Sequence, residues 1–343
     1  MNECQKFIDL AKELFGNDFI PLHRPVFEGN EREYLVDCVD SNFVSSVGSR
    51  VTEFEGMIAE YTGSKYAIAT VNGTAALHTA IELAGVEPGD EVISQALTFI
   101  ATCNAISYVG AKPLFIDVDL DTMGLSPEAL KKFLENNAEK RTNGTFNKIS
   151  GKKISACIPM HTFGFPCRIE EIAQICNDWN IFLIEDAAES LGSFVKGRHT
   201  GTFASISTLS FNGNKIITTG GGGMIITDDS KLAERAKHIT TTAKVPHPFE
   251  FVHDVVGYNY RMPNLNASLG CAQMERLDEF LTIKNELANQ WNTFFNENDV
   301  RFFKAINGNK ANHWLNAIVL DSKKDRDRFL KATNDNGVMT RPV

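Results

Sequence analysis

The sequence predicts an α/β fold, a large domain with a mainly parallel sheet flanked by helices, followed by a smaller C-terminal α+β domain. Three observations carry the architecture. With 343 residues the chain is long enough for one large domain, a smaller one and a substantial core. From residue 65 onward short apolar runs alternate with helical segments, the pattern of strands covered by helices on both faces. Near residues 244–263 the stretch KVPHPFEFVHDVVGYNYRMP turns aromatic- and proline-rich, and the alternation stops.

In chain order, Phe7, Leu10, Ala11, Leu14 and Phe15 follow helical spacing, so residues 1–20 read as a short amphipathic helix. The large domain, residues 21–245, opens its alternation with the strand YAIATV and the helix GTAALHTAIELAG, which ends at Gly85. The strand DEVISQ, the helix IATCNAISYVG and the strand KPLFIDV follow. Ser126 caps the next helix, SPEALKKFLENN, with Pro127 at its first position. The polar segment NNAEKRTNGTFNKISGKK reads as a long surface loop before the strand KISACIPM and the helix RIEEIAQICNDWN. IFLIEDAA, ISTLSF and GGMIITDD complete the strands. The small domain, residues 246–343, reads as one long helix from NASLG to FFNEN, then HWLNAIVL and the helix DRDRFLKATNDNG.

The chain is 43% hydrophobic and 22% charged, with a net charge of −9. That balance argues against nucleic acid or an anionic membrane surface as the main partner, because both need a basic footprint. No apolar run approaches the roughly 18 residues of a membrane-spanning helix. The first residues show neither a basic segment nor an uninterrupted apolar one, so no secretion leader is read there. Seven scattered cysteines form no framework of close pairs, which fits a reducing, cytoplasmic setting.

Four features should meet at the carboxyl ends of the strands, where open α/β sheets bind ligands. NGTAAL follows a strand and opens a helix, so the amides around Gly73 and Thr74 form an anion site strengthened by the helix dipole. Ordinary turn chemistry would produce the same residues. Asp186, in IFLIEDAAES, puts a carboxylate at a strand end, where it wants a cationic partner; a salt bridge or a helix cap is the plainer reading. Glu189 lies three residues on and near enough to reach the same ligand. In LSFNGNK, Ser210 leaves a strand and Lys215 follows in a loop that must curl back over the sheet edge, where a desolvated amine would attack carbonyls. The four glycines after it imply a backbone passing close to its neighbours. Phe99, at another strand-to-helix turn, is either core or a face for stacking a planar ring.

An anion site, a strand-end carboxylate, a loop lysine and an aromatic together suit pyridoxal phosphate. With NGTAAL, TFIATCNAI, IDVD, EDAAES, STLSFNGNKIITTGGGGMIITDD and GYNYRMPNLNASLG in this order, the chain from about Pro21 onward resembles the DegT group of nucleotide-sugar aminotransferases. The resemblance implies the fold-type-I architecture, a homodimer with shared active sites, and amino transfer from L-glutamate. It implies that Lys215 carries the cofactor covalently and, once freed, moves a proton. Asp186 would pair with the ring nitrogen, Phe99 would stack on the ring, and Gly73, Thr74 and Ser210 would hold the phosphate. Glu189 would approach the cofactor's face or hydroxyl, and Asn259 would reach the phosphate of the other subunit. Pyridoxamine phosphate would be the cofactor's alternate form. Family members that dehydrate carry histidine in place of the lysine, so Lys215 favours transamination.

Two positions depart from the commoner pattern: Gly221 stands where many members carry an acid, and Glu189 where glutamine or histidine is frequent. The resemblance also leads one to expect some tens of residues beyond MTRPV. The opening PLHRPVFEGNEREYLVDCVDSNFVSSVGSRVTEFE resembles the subgroup of legionaminic-acid and bacillosamine routes. That implies a UDP-linked 2-acetamido-4-keto-6-deoxy sugar aminated at C4 for surface polysaccharide, with Ser46 and His161 as substrate contacts. For His161, structural hydrogen bonding beneath the cofactor is the equal alternative. A dTDP- or GDP-linked 4-keto-6-deoxyhexose is the runner-up substrate, and a non-catalytic cofactor-binding scaffold the competing class. No metal site is read: Gly124 is misplaced for a calcium loop in DVDLDTMGLSPE, and His247 and His253 lack a third spaced ligand.

Overall fold

The computed structural model describes residues 2–343. The N-terminal apolar spacing forms α1 (Asn2–Phe15), and α2 (Glu31–Asp40) and α3 (Ser49–Thr62) follow. Strict alternation then runs through β1 (Tyr66–Thr70), α4 (Gly73–Leu83), β2 (Glu91–Gln95), α5 (Ile100–Tyr108) and β3 (Lys112–Ile116). Ser126 Oγ accepts from the Ala129 amide at 3.3 Å, and with Pro127 behind it α6 (Pro127–Asn137) starts where sequence placed it. Next come β4 (Ala138–Arg141), β5 (Gly144–Asn147), β6 (Lys153–Ile158), α7 (Ile169–Asp178) and β7 (Phe182–Asp186). Short β8 (Phe194–Val195) and β9 (Arg198–His199) precede β10 (Ile206–Ser210), β11 (Gly223–Thr227) and α8 (Ser230–Thr240). The chain continues with α9 (Asn264–Glu275), α10 (Leu277–Glu297), β12 (Arg301–Phe302), β13 (Asn309–Lys310), β14 (Ile318–Val319) and α11 (Lys323–Asp335).

The main sheet runs in the order β1-β11-β10-β7-β6-β2-β3. From β10 to β3 every pair is parallel, but β11 is antiparallel to both β1 and β10, so the sheet is mixed. The reason lies in the connection. Only the loop 211–222 links β10 to β11, without a crossover helix, so the return strand must run antiparallel. The polar segment expected to be a loop is the hairpin β4–β5, which pairs with β6. Its Asn143-Gly144 pair is the hairpin cue, and its buried Asn147 donates to Glu91 at 2.8 Å, so polar composition does not mean exposure.

Both sheet faces are covered. Phe54, Ile58, Leu209, Phe211, Met224 and Cys271 pack on one side, and Leu77, Ile81, Val92, Ile106, Ile184 and Ile225 on the other. Burying Phe54 alone contributes about 1.5–3 kcal/mol.

Two expectations about organisation change. The stretch read as one long helix breaks at Arg276, whose φ of −111° and ψ of 7° separate α9 from α10. Cys271 of α9 and Leu277 at the start of α10 are buried in the same cluster as Phe54 of α3, so this segment packs with the large sheet although the sequence assigned it to residues 246–343. The N-terminal helix, in turn, joins the C-terminal elements: Ile8 and Ala11 pack with Trp291, Phe295 and Val338, and the Phe7 ring lies 5.2 Å from that of Trp291. No described helix is long and apolar enough to cross a membrane.

One glycine sets how closely β11 passes the turn after β1. A Cβ on Gly223 would fall 2.5 Å from the backbone of Asn72. Gly223→Val is expected to lower stability by about 1–3 kcal/mol, the usual cost of overpacking, and to displace the start of α4. Thermal melting checks it; a melting temperature equal to wild type would mean that the turn yields freely.

Candidate active site

The site is built where β1, β10 and β7 end. Parallel pairing sets Thr208 of β10 beside Asp186 of β7, and Gly223 is flanked by Ser210 on one side and Thr70 on the other. Beyond β1 the chain turns into α4. Asn72 Oδ1 accepts from the Ala75 amide at 2.8 Å, while the first-turn amides, including those of Gly73 and Thr74, have no intrahelical acceptor. Gly73 sits directly against Ser210: a Cβ there would lie 2.8 Å from Ser210 Cβ. A hydroxyl and a bare helix N-terminus thus share one corner, a cradle that a larger residue would fill.

Asp186 is only 2% exposed. Its Oδ2 accepts from Thr102 Oγ1 at 2.7 Å and its Oδ1 from the Ala188 amide at 3.2 Å. Burial pushes the carboxyl above its ordinary range, against the pull of those two donors and of the Lys215 charge. Lys215 lies in the loop after β10, whose ends are closed by Phe211 N donating to Gly222 O at 2.8 Å and Thr219 N to Phe211 O at 3.0 Å. Its Nζ is 3.4 Å from Glu189 Oε1 and 3.8 Å from the centre of the Trp314 ring. Burial lowers the pKa of this amine and raises that of Glu189, so both partners are pushed toward their uncharged forms.

Glu189 is held by its other oxygen, which accepts from the Phe163 amide at 2.7 Å. Phe163 adopts a φ of +56°, an uncommon conformation for a bulky side chain that turns this amide toward the carboxylate. Glu189, Ser210 and Lys215 line one small cleft together with Ala188, Leu191, Ile216 and Ile217.

Sequence reading did not single out Thr102 or Trp314. Thr102 stands three residues after Phe99, one helical turn into α5, and that spacing was the available signal. Trp314 is brought in by Asn312, whose Nδ2 donates to the carbonyls of Glu189 and Leu191 at 2.9 Å and whose Oδ1 accepts from the Trp314 amide at 2.8 Å. Its indole nitrogen donates to the Asn214 carbonyl beside Lys215.

The remaining expected residues make no side-chain contact with Lys215 or Asp186. Phe99 is 63% exposed at the start of α5, and Asn259 is exposed, its Oδ1 accepting from Arg261 at 2.9 Å. Ser46 is half-buried in the loop before α3, which the Asn264 amide holds through the Ser45 carbonyl at 2.8 Å. His161 departs from the expectation of a substrate contact. Its ring is fully buried, with Nε2 3.0 Å from Glu185 Oε2 and Nδ1 accepting from the Cys167 amide at 3.2 Å. Both nitrogens are engaged, which is the hydrogen-bonded structural alternative.

The mixed sheet flanked by helices, with a lysine loop over its carboxyl edge, defines a fold-type-I aminotransferase. The chain belongs to the DegT/DnrJ/EryC1/StrS aminotransferase family, whose profile matches residues 25–343. It is 38% identical to a GDP-perosamine synthase of Escherichia coli O157:H7 over 95% of this chain and 84% of the relative. A GDP-perosamine synthase of Vibrio cholerae is 35% identical over 94% and 84%. The solved structure of DesI in the presence of its TDP-sugar product superposes with a TM-score of 0.82 at 25% identity, over 95% of this chain and 79% of that one.

The protein is therefore a pyridoxal-phosphate-dependent sugar aminotransferase, and the donor set suits that cofactor. A buried amine of lowered pKa, a buried carboxylate with lone pairs to spare and a helix start beside a hydroxyl match an aldehyde, a ring nitrogen and a phosphate. The relatives from Escherichia coli O157:H7 and Vibrio cholerae are both GDP-perosamine synthases, which do not carry the expected legionaminic-acid or bacillosamine assignment.

Proposed function

We propose that this enzyme transfers the amino group of L-glutamate to C4 of a GDP-linked 4-keto-6-deoxyhexose. The observation that carries the nucleotide is the similarity to two GDP-perosamine synthases along nearly the whole chain. When bound, pyridoxal phosphate supplies an aldehyde that takes up an amino group and a ring that accepts an electron pair. The residues of this chain do the rest. Lys215 Nζ holds and moves the proton, and its lowered pKa keeps a share of the amine uncharged for that work. Asp186 presents its carboxylate to the ring nitrogen. Gly73, Thr74 and Ser210 bind the phosphate, Phe99 stacks on the ring, and Glu189 positions Lys215.

The exposed rings of Phe249 and Phe251, with Val47 and Val256, leave apolar surface that a second copy would cover. That supports a homodimer in which Asn259 completes the partner's phosphate site. Sedimentation should give twice the chain mass, and Asn259→Ala should weaken cofactor affinity without changing that mass. A monomer that binds cofactor fully would overturn the shared site.

A second reading keeps a UDP-linked 2-acetamido-4-keto-6-deoxy sugar, favoured by the opening segment that ends in NFVSSVGSRVTEFE. Incubation with GDP-, dTDP- and UDP-linked 4-keto sugars and glutamate, followed by mass spectrometry of the amine, separates the two. The GDP sugar is expected to show at least a tenfold higher kcat/KM; the same advantage for the UDP sugar would replace it.

A further inference from the structure

Lys284 is a half-buried cation that the roles above do not use. It stands on α10, and its Nζ donates to the Trp314 carbonyl at 3.1 Å and to His23 Nδ1 at 3.0 Å. Two of its three N–H donors are thereby spent on neutral acceptors, and among the described residues no carboxylate pairs with it. Burial lowers its pKa to about 8. Burial, then Lys284, then Lys215 lower that of His23 to about 3, so the imidazole stays neutral and offers its lone pair. Burial and then the same Lys284 charge lower the pKa of His313 to about 4, against the pull of the Asn316 side chain.

A desolvated ammonium with only neutral companions is costly, and a ligand that brings the missing negative charge offsets that cost. Trp314 connects Lys284 to the candidate site. Its carbonyl holds Lys284, while its ring lies 3.8 Å from Lys215 Nζ, so one residue joins the unpaired cation to the reacting amine. The single salt-bridged partner at the site, Glu189, is committed to Lys215 and the Phe163 amide.

We infer that Lys284 receives an anionic oxygen group of a substrate, either a carboxylate of the amino donor or a phosphoryl group of the nucleotide sugar. This rests on the reading that the substrates react at Lys215. Unlike the helix N-terminus at Gly73, which serves the cofactor, this receptor lies on the side built by α10 and the 312–314 segment.

The test measures dissociation constants by calorimetry for wild type, Lys284→Gln and Lys284→Arg, each loaded with cofactor. The probes are glutarate, which has the donor's two carboxylates but no amine, and separately GDP and UDP. Glutamine keeps a donor for the Trp314 carbonyl and removes the charge, whereas arginine keeps the charge. Lys284→Gln is expected to bind glutarate or the nucleotides about tenfold or more weakly, the range of a charge-assisted hydrogen bond, while Lys284→Arg stays within about threefold of wild type. The probe that loses affinity identifies the anion. Affinities of Lys284→Gln within about twofold of wild type for every probe would overturn the inference. So would a Lys284→Arg that loses as much as Lys284→Gln, because shape rather than charge would then be responsible. If Lys284→Gln fails to fold by near-ultraviolet circular dichroism, Lys284→Met takes its place under the same thresholds. Failure of the underlying reading looks different: wild type would show no visible band with pyridoxal phosphate.

Discussion

Lys215→Ala is expected to lose at least about a thousandfold in amino transfer, because one side chain both links to the cofactor and moves the proton. The visible absorption band that wild type develops with pyridoxal phosphate should be missing from the variant, and L-glutamate should bleach the band in wild type alone. Stability should change little, since Lys215 spends its buried ammonium on a 3.4 Å contact with a carboxylate that burial also drives toward neutrality. The pH dependence has a definite sign. Only the uncharged amine attacks an aldehyde, so the rate of cofactor uptake rises with pH and levels off once the amine is deprotonated. With the pKa lowered by burial, levelling should come below the ordinary 10.5. A plateau at 10.5 would mean that burial leaves this amine unperturbed, and an identical band in Lys215→Ala would remove the residue from its role.

Much of this arrangement was legible because strand ends have a signature. An apolar run stopping at Glu185-Asp186, or at Ser210 before a polar loop, places a polar side chain at the sheet edge whatever the rest of the fold does. The Gly73 turn was legible for the same reason, and the glycine run resolved into a physical cause: β11 grazes the Asn72–Gly73 backbone. What stayed hidden depends on distant segments. Trp314 meets Lys215 across roughly a hundred residues of chain, through Asn312 bonds that no local pattern announces. Lys284 has no local signature either, and only the approach of His23 and the Trp314 carbonyl makes it a half-buried cation. His161 misled for the opposite reason. A histidine after a strand reads as available, yet Glu185 and the Cys167 amide use both nitrogens, and Glu185 is itself filled by amides of Gly201, Phe203 and Ala204. The hairpin β4–β5 and the break at Arg276 show the same limit, since tertiary pairing outweighed composition in one and helical periodicity in the other.

Asp186→Asn carries the second large effect, and it separates stability from catalysis. The amide oxygen can still accept from the Ala188 N–H while its NH2 donates to Thr102 Oγ1, whose hydroxyl is free to turn, so the local geometry survives, but the neutral amide cannot keep a ring nitrogen protonated. Losing a preorganised charge at that position should lower kcat by about a hundred- to a thousandfold, with a smaller change in the KM for glutamate. The cofactor-free variant should melt no lower than wild type, and higher at neutral pH. Burial raises the folded-state pKa of Asp186 above its ordinary 3.8, so the folded protein binds the proton more tightly than the unfolded chain. That contribution is fully present below pH 3.8 and is lost as pH rises through the folded-state value. Asparagine has no such loss, so the stability difference should grow from acid toward neutral pH and then stay level. Glu189 obeys the same sign and remains in both proteins, so it cancels in the comparison. A variant that melts well below wild type at neutral pH would make the carboxylate a structural anchor, and kcat within about threefold of wild type would take it out of the chemistry.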